Sequence, residues 1–247
     1  MSGNSRTVQS SQPGPHPDLE RVVRRHLSRP WQGPVAAHTR AAFDLAENWR
    51  ARQGAQRPLV LDSGCGTGRS TLVLAERWPQ SLVIGLDQSA DRLQRGGRRF
   101  EQLPDNLLWL RAEAGDFWRL AVAAGWRLAH HALWFPNPWP KPGHLRRRWH
   151  GHPAWAELLR LGGQLELRTN WPIYAEEMAL ALACSGHRAE TAAYTAQPPF
   201  LTDFEEKYQL SGHQLWQLTA DLDAASVEDF EHLPVRDVGF QEDAAGH

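Results

Sequence analysis

The stretch LVLDSGCGTGRSTLVLAERW, Leu59 to Trp78, leaves few folds open. Its apolar start reads as a strand, its three alternating glycines as a tight turn, and the run after Arg69 as a helix. Gly64, Gly66 and Gly68 let the backbone come close to a ligand and enter a helix with no Cβ in the way. Strand and helix then alternate along the chain. SLVIGLD is a second strand and SADRLQRGGRRF a helix. NLLWLRAE and RLAHHALWF are a third and a fourth strand. HPAWAELLRL is a helix, GGQLELRTN a fifth strand, YAEEMALALACSG a helix and HQLWQLTAD a late strand. This alternation predicts an α/β fold: a doubly wound, mostly parallel sheet with helices on both faces.

The 247 residues suffice for one large domain with a core. Residues 1–17 are mostly Ser, Gln, Gly and Pro with little to bury, and are expected to be disordered. Residues 18–56 form a helical region through DLERVVRRHLSR and HTRAAFDLAENWRAR. The α/β domain spans 57–220, and 221–247 reads as an acidic tail.

Net charge is −1, so no global basic field draws in nucleic acid, and any such binding must rest on a local patch. Two cysteines build neither a disulfide framework nor a Cys-rich metal site, which suits a reducing cytoplasm. No run approaches the roughly 20 apolar residues of a membrane span, and the N-terminus lacks the apolar core of a signal peptide. His130, His131, His150 and His152 have no acid or Cys to complete a metal site, so none is expected. No Gly-x-Ser-x-Gly elbow supports a hydrolase.

Three acids accompany the glycines. Asp62 stands two residues before the first Gly, where it suits the ammonium of a methionine-like tail. Asp87 ends the second strand, where a carboxylate can accept both hydroxyls of a ribose. Glu113 ends the third strand, within reach of an adenine edge. A ring of acids repels the phosphates of a dinucleotide and favours cationic S-adenosylmethionine, which leaves an NAD oxidoreductase a distant alternative. Cys65 is read as a small space-filling residue.

The fourth strand runs into LWFPNPWPKPGHLRRR, Leu133 to Arg148. Prolines fix this loop. Trp139 can wall a planar base, and Lys141, Arg146, Arg147 and Arg148 are candidates to hold phosphates. A solvated helix start is the other reading of the arginine run. Arg92, Arg95, Arg98 and Arg99 form either an RNA-facing stripe or a solvated face.

From Arg57 to Leu218 the chain resembles the bacterial tRNA (guanine-N7-)-methyltransferases. That family carries Pro-Asp-Pro-Trp followed by Lys, His and a basic run; here the stretch is PNPWPKPGHLRRR. Its Gly-Gly, strand and Thr-Asp-Trp-x-x-Tyr-Ala-Glu appear as GGQLELRTNWPIYAE. Its Thr-Lys-Phe-Glu with later Gly-His and Trp appears as TDFEEKYQLSGHQLW. The resemblance implies a Rossmann-like class I methyltransferase that moves methyl from S-adenosylmethionine to a guanine of tRNA. By position it implies that Asp62, Gly64, Gly66, Gly68, Asp87 and Glu113 hold cofactor. Asn137 falls on the catalytic aspartate, beside the cofactor. Lys141, Asn170, Thr202, Asp203, Phe204 and Glu205 fall on substrate-binding positions. The chain departs from the pattern at three of these: Asn137 and Asn170 replace aspartates, and Asp203 replaces a lysine. A catalytically silent cofactor- or RNA-binding relative and a methyltransferase of small molecules remain as alternatives. Monomer and homodimer both stay open.

Overall fold

Seven strands form one sheet in the order β3-β2-β1-β4-β5-β7-β6 in the computed structural model, which describes residues 3–100 and 102–224. They are β1 (Leu59–Ser63), β2 (Leu82–Asp87), β3 (Leu107–Arg111), β4 (His130–Trp134), β5 (Gln164–Thr169), β6 (Glu190–Tyr194) and β7 (Leu215–Asp221). The first five are parallel; β7 runs antiparallel between β5 and β6. The helices are α1 (Leu19–Ser28), α2 (Ala37–Gln53), α3 (Arg69–Arg77), α4 (Ala90–Arg99), α5 (Ala114–Ala123), α6 (Trp155–Leu161), α7 (Pro172–Ala183) and α8 (Asp203–Leu210).

Strand periodicity decides which helix covers which face. Leu59 and Leu61 of β1, and Leu82, Ile84 and Leu86 of β2, point into one core with α1, α2, α5, α6 and α7. Val60 and Val83, the alternate residues, point into a second core with Leu74 and Ala75 of α3 and Tyr208 of α8. Both faces are covered, as the near-continuous apolar runs of the strands require. β1 pairs with β2 on one side and β4 on the other. Chain leaving β1 and β4 therefore diverges, and a crevice opens at the carboxyl ends of these strands.

Two expectations about the ends of the chain change. The segment up to Pro17, expected to be disordered, is packed: Gln12 is only 6% exposed and its amide Nε2 donates to Glu177 Oε1 at 2.7 Å. Polar groups anchor this segment together with Val8, which packs against the core. The helical region 18–56 holds α1 and α2, and its Val23 and Ala46 are fully buried in the same core as the sheet. The acidic tail starts later than Asp221, which ends β7; Leu222 is buried and its amide donates to Gly163 O at 2.9 Å. The remainder of the expected tail, 225–247, lies outside the described residues. No helix among the described residues is long and apolar enough to cross a membrane.

Candidate active site

The turn after β1 follows its glycines. Gly64, Gly66 and Gly68 have φ of +92°, +61° and +83°, a region that L side chains avoid. A Cβ on Gly68 would also lie 2.3 Å from the Trp109 ring. The amides of Gly64 and Cys65 donate to Leu86 O, and that of Gly66 donates to Asp87 Oδ2 at 3.0 Å, so the loop is tied to the end of β2. Gly96 of α4 abuts the loop from outside, where a Cβ would sit 2.1 Å from Thr67 O.

Asp62 takes a different part from the one expected. It is 1% exposed, and its Oδ2 accepts from Ser70 Oγ at 2.6 Å and Thr71 Oγ1 at 2.7 Å. Burial raises its carboxyl to about 6, against the pull of those two hydroxyls. It fastens the first turn of α3 to β1 and lies behind the loop, outside the lining of the cleft. The spacing of an acid before the glycines is the same for either task, so the sequence could not separate them.

A cleft of about 760 Å³ opens over the switch point. Gly64, Asp87 and Glu113 line one side, and the loop from Phe135 to Trp139 lines another. Asp87 is only 4% exposed; its Oδ1 accepts from the Ser89 amide at 2.8 Å. Glu113 sits at the start of α5, its amide donating to Thr39 Oγ1 at 2.9 Å. Burial, then the nearby Asp116 charge, raise its carboxyl.

The loop after β4 is held in an unusual shape. Phe135 and Trp139 have φ of +54° and +46°. For aromatic residues this conformation costs on the order of 1–3 kcal/mol each and persists only where the surroundings enforce it. Between them Pro136 and Pro138 restrict the backbone on either side of Asn137, which is exposed in the cleft. Arg147 lies over the Trp139 ring, 4.7 Å from its centre, and lines the cleft with Arg146.

Arg148 departs from both readings of the arginine run. It is fully buried and donates to both carboxylate oxygens of Glu177 at 2.7 and 2.6 Å. The same guanidinium donates to the carbonyls of Trp139 at 3.1 Å and Lys141 at 3.3 Å, and to Gln12 Oε1 at 3.1 Å. His150 Nε2 lies 2.7 Å from Glu177 Oε2. Arg148 therefore holds the loop from behind and is unavailable to a phosphate. In the short 3₁₀ turn from Pro142 to Arg147, and just past it, neighbouring arginines point in different directions, so a run of three does not share one environment.

Residues 56–218 match the model of a family described as "Putative methyltransferase". A tRNA (guanine-N(7)-)-methyltransferase of Pseudomonas aeruginosa is 33% identical over 71% of this chain and 75% of its own length. That of Neisseria meningitidis is 30% identical, over 68% and 73%. The chain belongs to the tRNA (guanine-N(7)-)-methyltransferase family. The 16S rRNA methyltransferase KamB shares the fold, with a TM-score of 0.52 at 20% identity over 78% of this chain and 98% of its own.

In this methyltransferase the expected substrate residues are dispersed. Phe204, 40% exposed, lines the cleft with Tyr208 one turn later, and the two rings stack. Tyr208 escaped the sequence reading, although its i,i+4 spacing from Phe204 was there to see. Thr202 caps α8, its hydroxyl accepting from the Glu205 amide at 2.8 Å. Glu205 is 1% exposed and accepts from Arg168 Nη1 at 2.7 Å, Tyr194 Oη at 2.9 Å and the Leu201 amide. It anchors α8 and does not line the cleft. Asn170 Nδ2 lies 3.0 Å from His213 Nδ1, also away from the cleft lining, and Lys141 is exposed beyond it. Thr202 and Asp203 line a smaller adjoining hollow of about 180 Å³ with Arg69, Arg92 and Arg95. Arg99 of the expected stripe pairs with Asp203 at 2.9 Å, and Arg98 is exposed. Among the described residues no group of three or more His, Cys, Asp or Glu could hold a metal ion; His131 instead meets Ser63 Oγ at 2.9 Å.

Proposed function

We propose that this protein transfers the methyl group of S-adenosylmethionine to N7 of a guanine in tRNA. One observation carries the reading: a single cleft has Gly64, Asp87 and Glu113 on one side and Pro136 to Trp139 on the other. The residues fit the cofactor. Nearly buried Asp87 offers a carboxylate for ribose hydroxyls, and the loop glycines leave their backbone open to close approach. Glu113 supplies an acceptor for an adenine amino group. When bound, S-adenosylmethionine supplies a methyl group on a cationic sulfur.

The chain's own contribution is placement. Guanine N7 carries a free lone pair, so no side chain has to remove a proton before attack. In-line displacement then depends on holding the two partners in register, which is worth several orders of magnitude. Trp139, Phe204 and Tyr208 give flat apolar walls for a base. Asn137 keeps one oxygen that can accept from the base's Watson–Crick edge. Arg146 and Arg147 on the rim suit the flanking phosphates. A tRNA substrate and two free cysteines fit work in the cytoplasm.

Incubation with bulk tRNA and methyl-labelled S-adenosylmethionine, followed by nucleoside analysis, tests the reading. Label in 7-methylguanosine is expected; label elsewhere, or none, refutes it. Asp87→Ala is expected to weaken S-adenosylmethionine binding at least about tenfold, roughly 1.4 kcal/mol, in titration calorimetry. Reversing Arg146 and Arg147 to Glu should abolish tRNA binding at moderate salt and leave cofactor affinity intact, since phosphate contacts dominate affinity and are screened by salt. Unchanged tRNA binding in that variant would move the RNA surface elsewhere.

A further inference from the structure

Where the family has a lysine, Asp203 stands at the start of α8, and three groups donate to it. Thr67 Oγ1, in the glycine loop, donates to Asp203 Oδ2 at 2.9 Å. Arg69, the first residue of α3, donates to Oδ1 at 3.2 Å and to Glu206 Oε2 at 2.5 Å. Arg99, at the end of α4, donates to both Asp203 oxygens at 2.9 Å. Gly96, one turn before Arg99, lets α4 lie directly on Thr67 O. The glycine loop is thus clasped between α4 and α8, with Asp203 as the common acceptor. Phe204 follows Asp203 and, with Tyr208, walls the large cleft.

We propose that Asp203 is a positioning residue that latches α8 onto the glycine loop, so that the cofactor side and the base-binding side of the cleft are set by one charge cluster. The inference rests on the functional reading above. A lysine in this place would face Arg69 and Arg99 and push α8 away, so a chain with this pair of arginines needs an acid here. The cluster is partly exposed, with side chains 20–44% accessible, and salt weakens it. Burial alone would raise the Asp203 carboxyl, and the hydrogen bonds from Arg99, Thr67 and Arg69 outweigh it, so the latch stays charged at neutral pH.

The test compares Asp203→Lys, Asp203→Asn and Asp203→Glu in the full-length protein. S-adenosylhomocysteine binding is read by calorimetry, amide exchange in residues 64–71 and 203–210 by mass spectrometry, and KM for both substrates by tRNA methylation. Asp203→Lys is expected to weaken S-adenosylhomocysteine at least tenfold, to speed exchange in both segments together and to raise the KM for tRNA. Asp203→Asn should show the same changes to a smaller degree, and it serves if the lysine variant does not fold. Asp203→Glu should restore all three. Faster exchange confined to 203–210, with both KM values unchanged, makes Asp203 a simple helix anchor and overturns the proposal. If the unaltered protein methylates tRNA and the Lys and Asn variants match it, the latch alone fails. If the unaltered protein binds no S-adenosylhomocysteine, the functional reading fails and takes the latch with it.

Discussion

Glu177→Ala is expected to cost about 3–5 kcal/mol, because it strands the buried charge of Arg148. For a domain of this size that corresponds to a melting temperature lower by roughly 6–20 °C. The loss is large because one carboxylate serves Arg148, His150, Gln12 and the His16 amide at once. A melt within two or three degrees of the unaltered protein would show that the network is dispensable. The same group sets an acid limit. Burial pushes the Glu177 carboxyl up, but His150, Arg148 and Gln12 outweigh this and bring it down to about 2 from 4.5. A carboxylate depressed on folding stabilises the fold fully above about pH 4.5, and that contribution is lost as pH falls toward 2. His150 is held below its usual value, by burial first, so protonation below about pH 6.5 favours the unfolded chain and adds to the acid loss. The paired change Arg148→Met with Glu177→Met removes both charges and is expected to recover much of the stability. It leaves the Trp139 and Lys141 carbonyls without their donor, so methylation should stay low in a well-folded protein.

Asn137→Asp is expected to raise the rate of guanine methylation at least about tenfold. Positive charge grows on the base as N7 takes the methyl, and a fixed charge at such a point is typically worth on the order of 10²–10³ in rate. Asn137 already stands in the cleft between two prolines, so the substitution changes charge with little change of shape. Single-turnover measurement with tRNA in excess isolates this step. Asn170→Asp, whose amide faces His213 outside the cleft lining, should add much less. If Asn137→Asp lowers activity on whatever substrate the protein uses, or gains nothing on tRNA while binding both ligands, guanine N7 is not the target.

The sequence disclosed what backbone chemistry dictates. Glycines that need positive φ, strands that are apolar on both faces and acids at strand ends are local facts, and they put Asp87, Glu113 and Asn137 in one cleft. It hid three elements for physical reasons. α5 begins with Ala-Gly-Asp, which weakens its helical appearance, and it follows β3 almost at once. β6 is an edge strand with four of its five residues exposed, so it lacks apolar alternation. α8 buries the charged Glu205 and turns its aromatic pair, Phe204 and Tyr208, to the cleft, so burial along it does not follow hydrophobicity. Buried charge was equally hidden. Glu176 and Glu177 are adjacent, yet only the second faces inward beside Tyr174, Met178 and Ala181. Nothing in a pair of glutamates tells which one meets a buried arginine 29 residues earlier.

The placing of β7 between β5 and β6 has a consequence for the order in which the molecule comes together. β6 pairs with β7 alone, so it has no neighbour in the sheet until residues 215–221 have inserted against β5. α8 lies in the connection between these two strands. Strands β1 and β2 can pair from contacts near in sequence, whereas the wall bearing Phe204 and Tyr208, and the Asp203 latch with it, waits for the last strand. Pairings of that kind form slowly, since a chain loop must be closed before any gain is realised. A nascent or partly unfolded molecule without β7 in place would therefore lack both the base wall and the Asp203 latch on the glycine loop, and insertion of the last strand would govern when the molecule becomes competent.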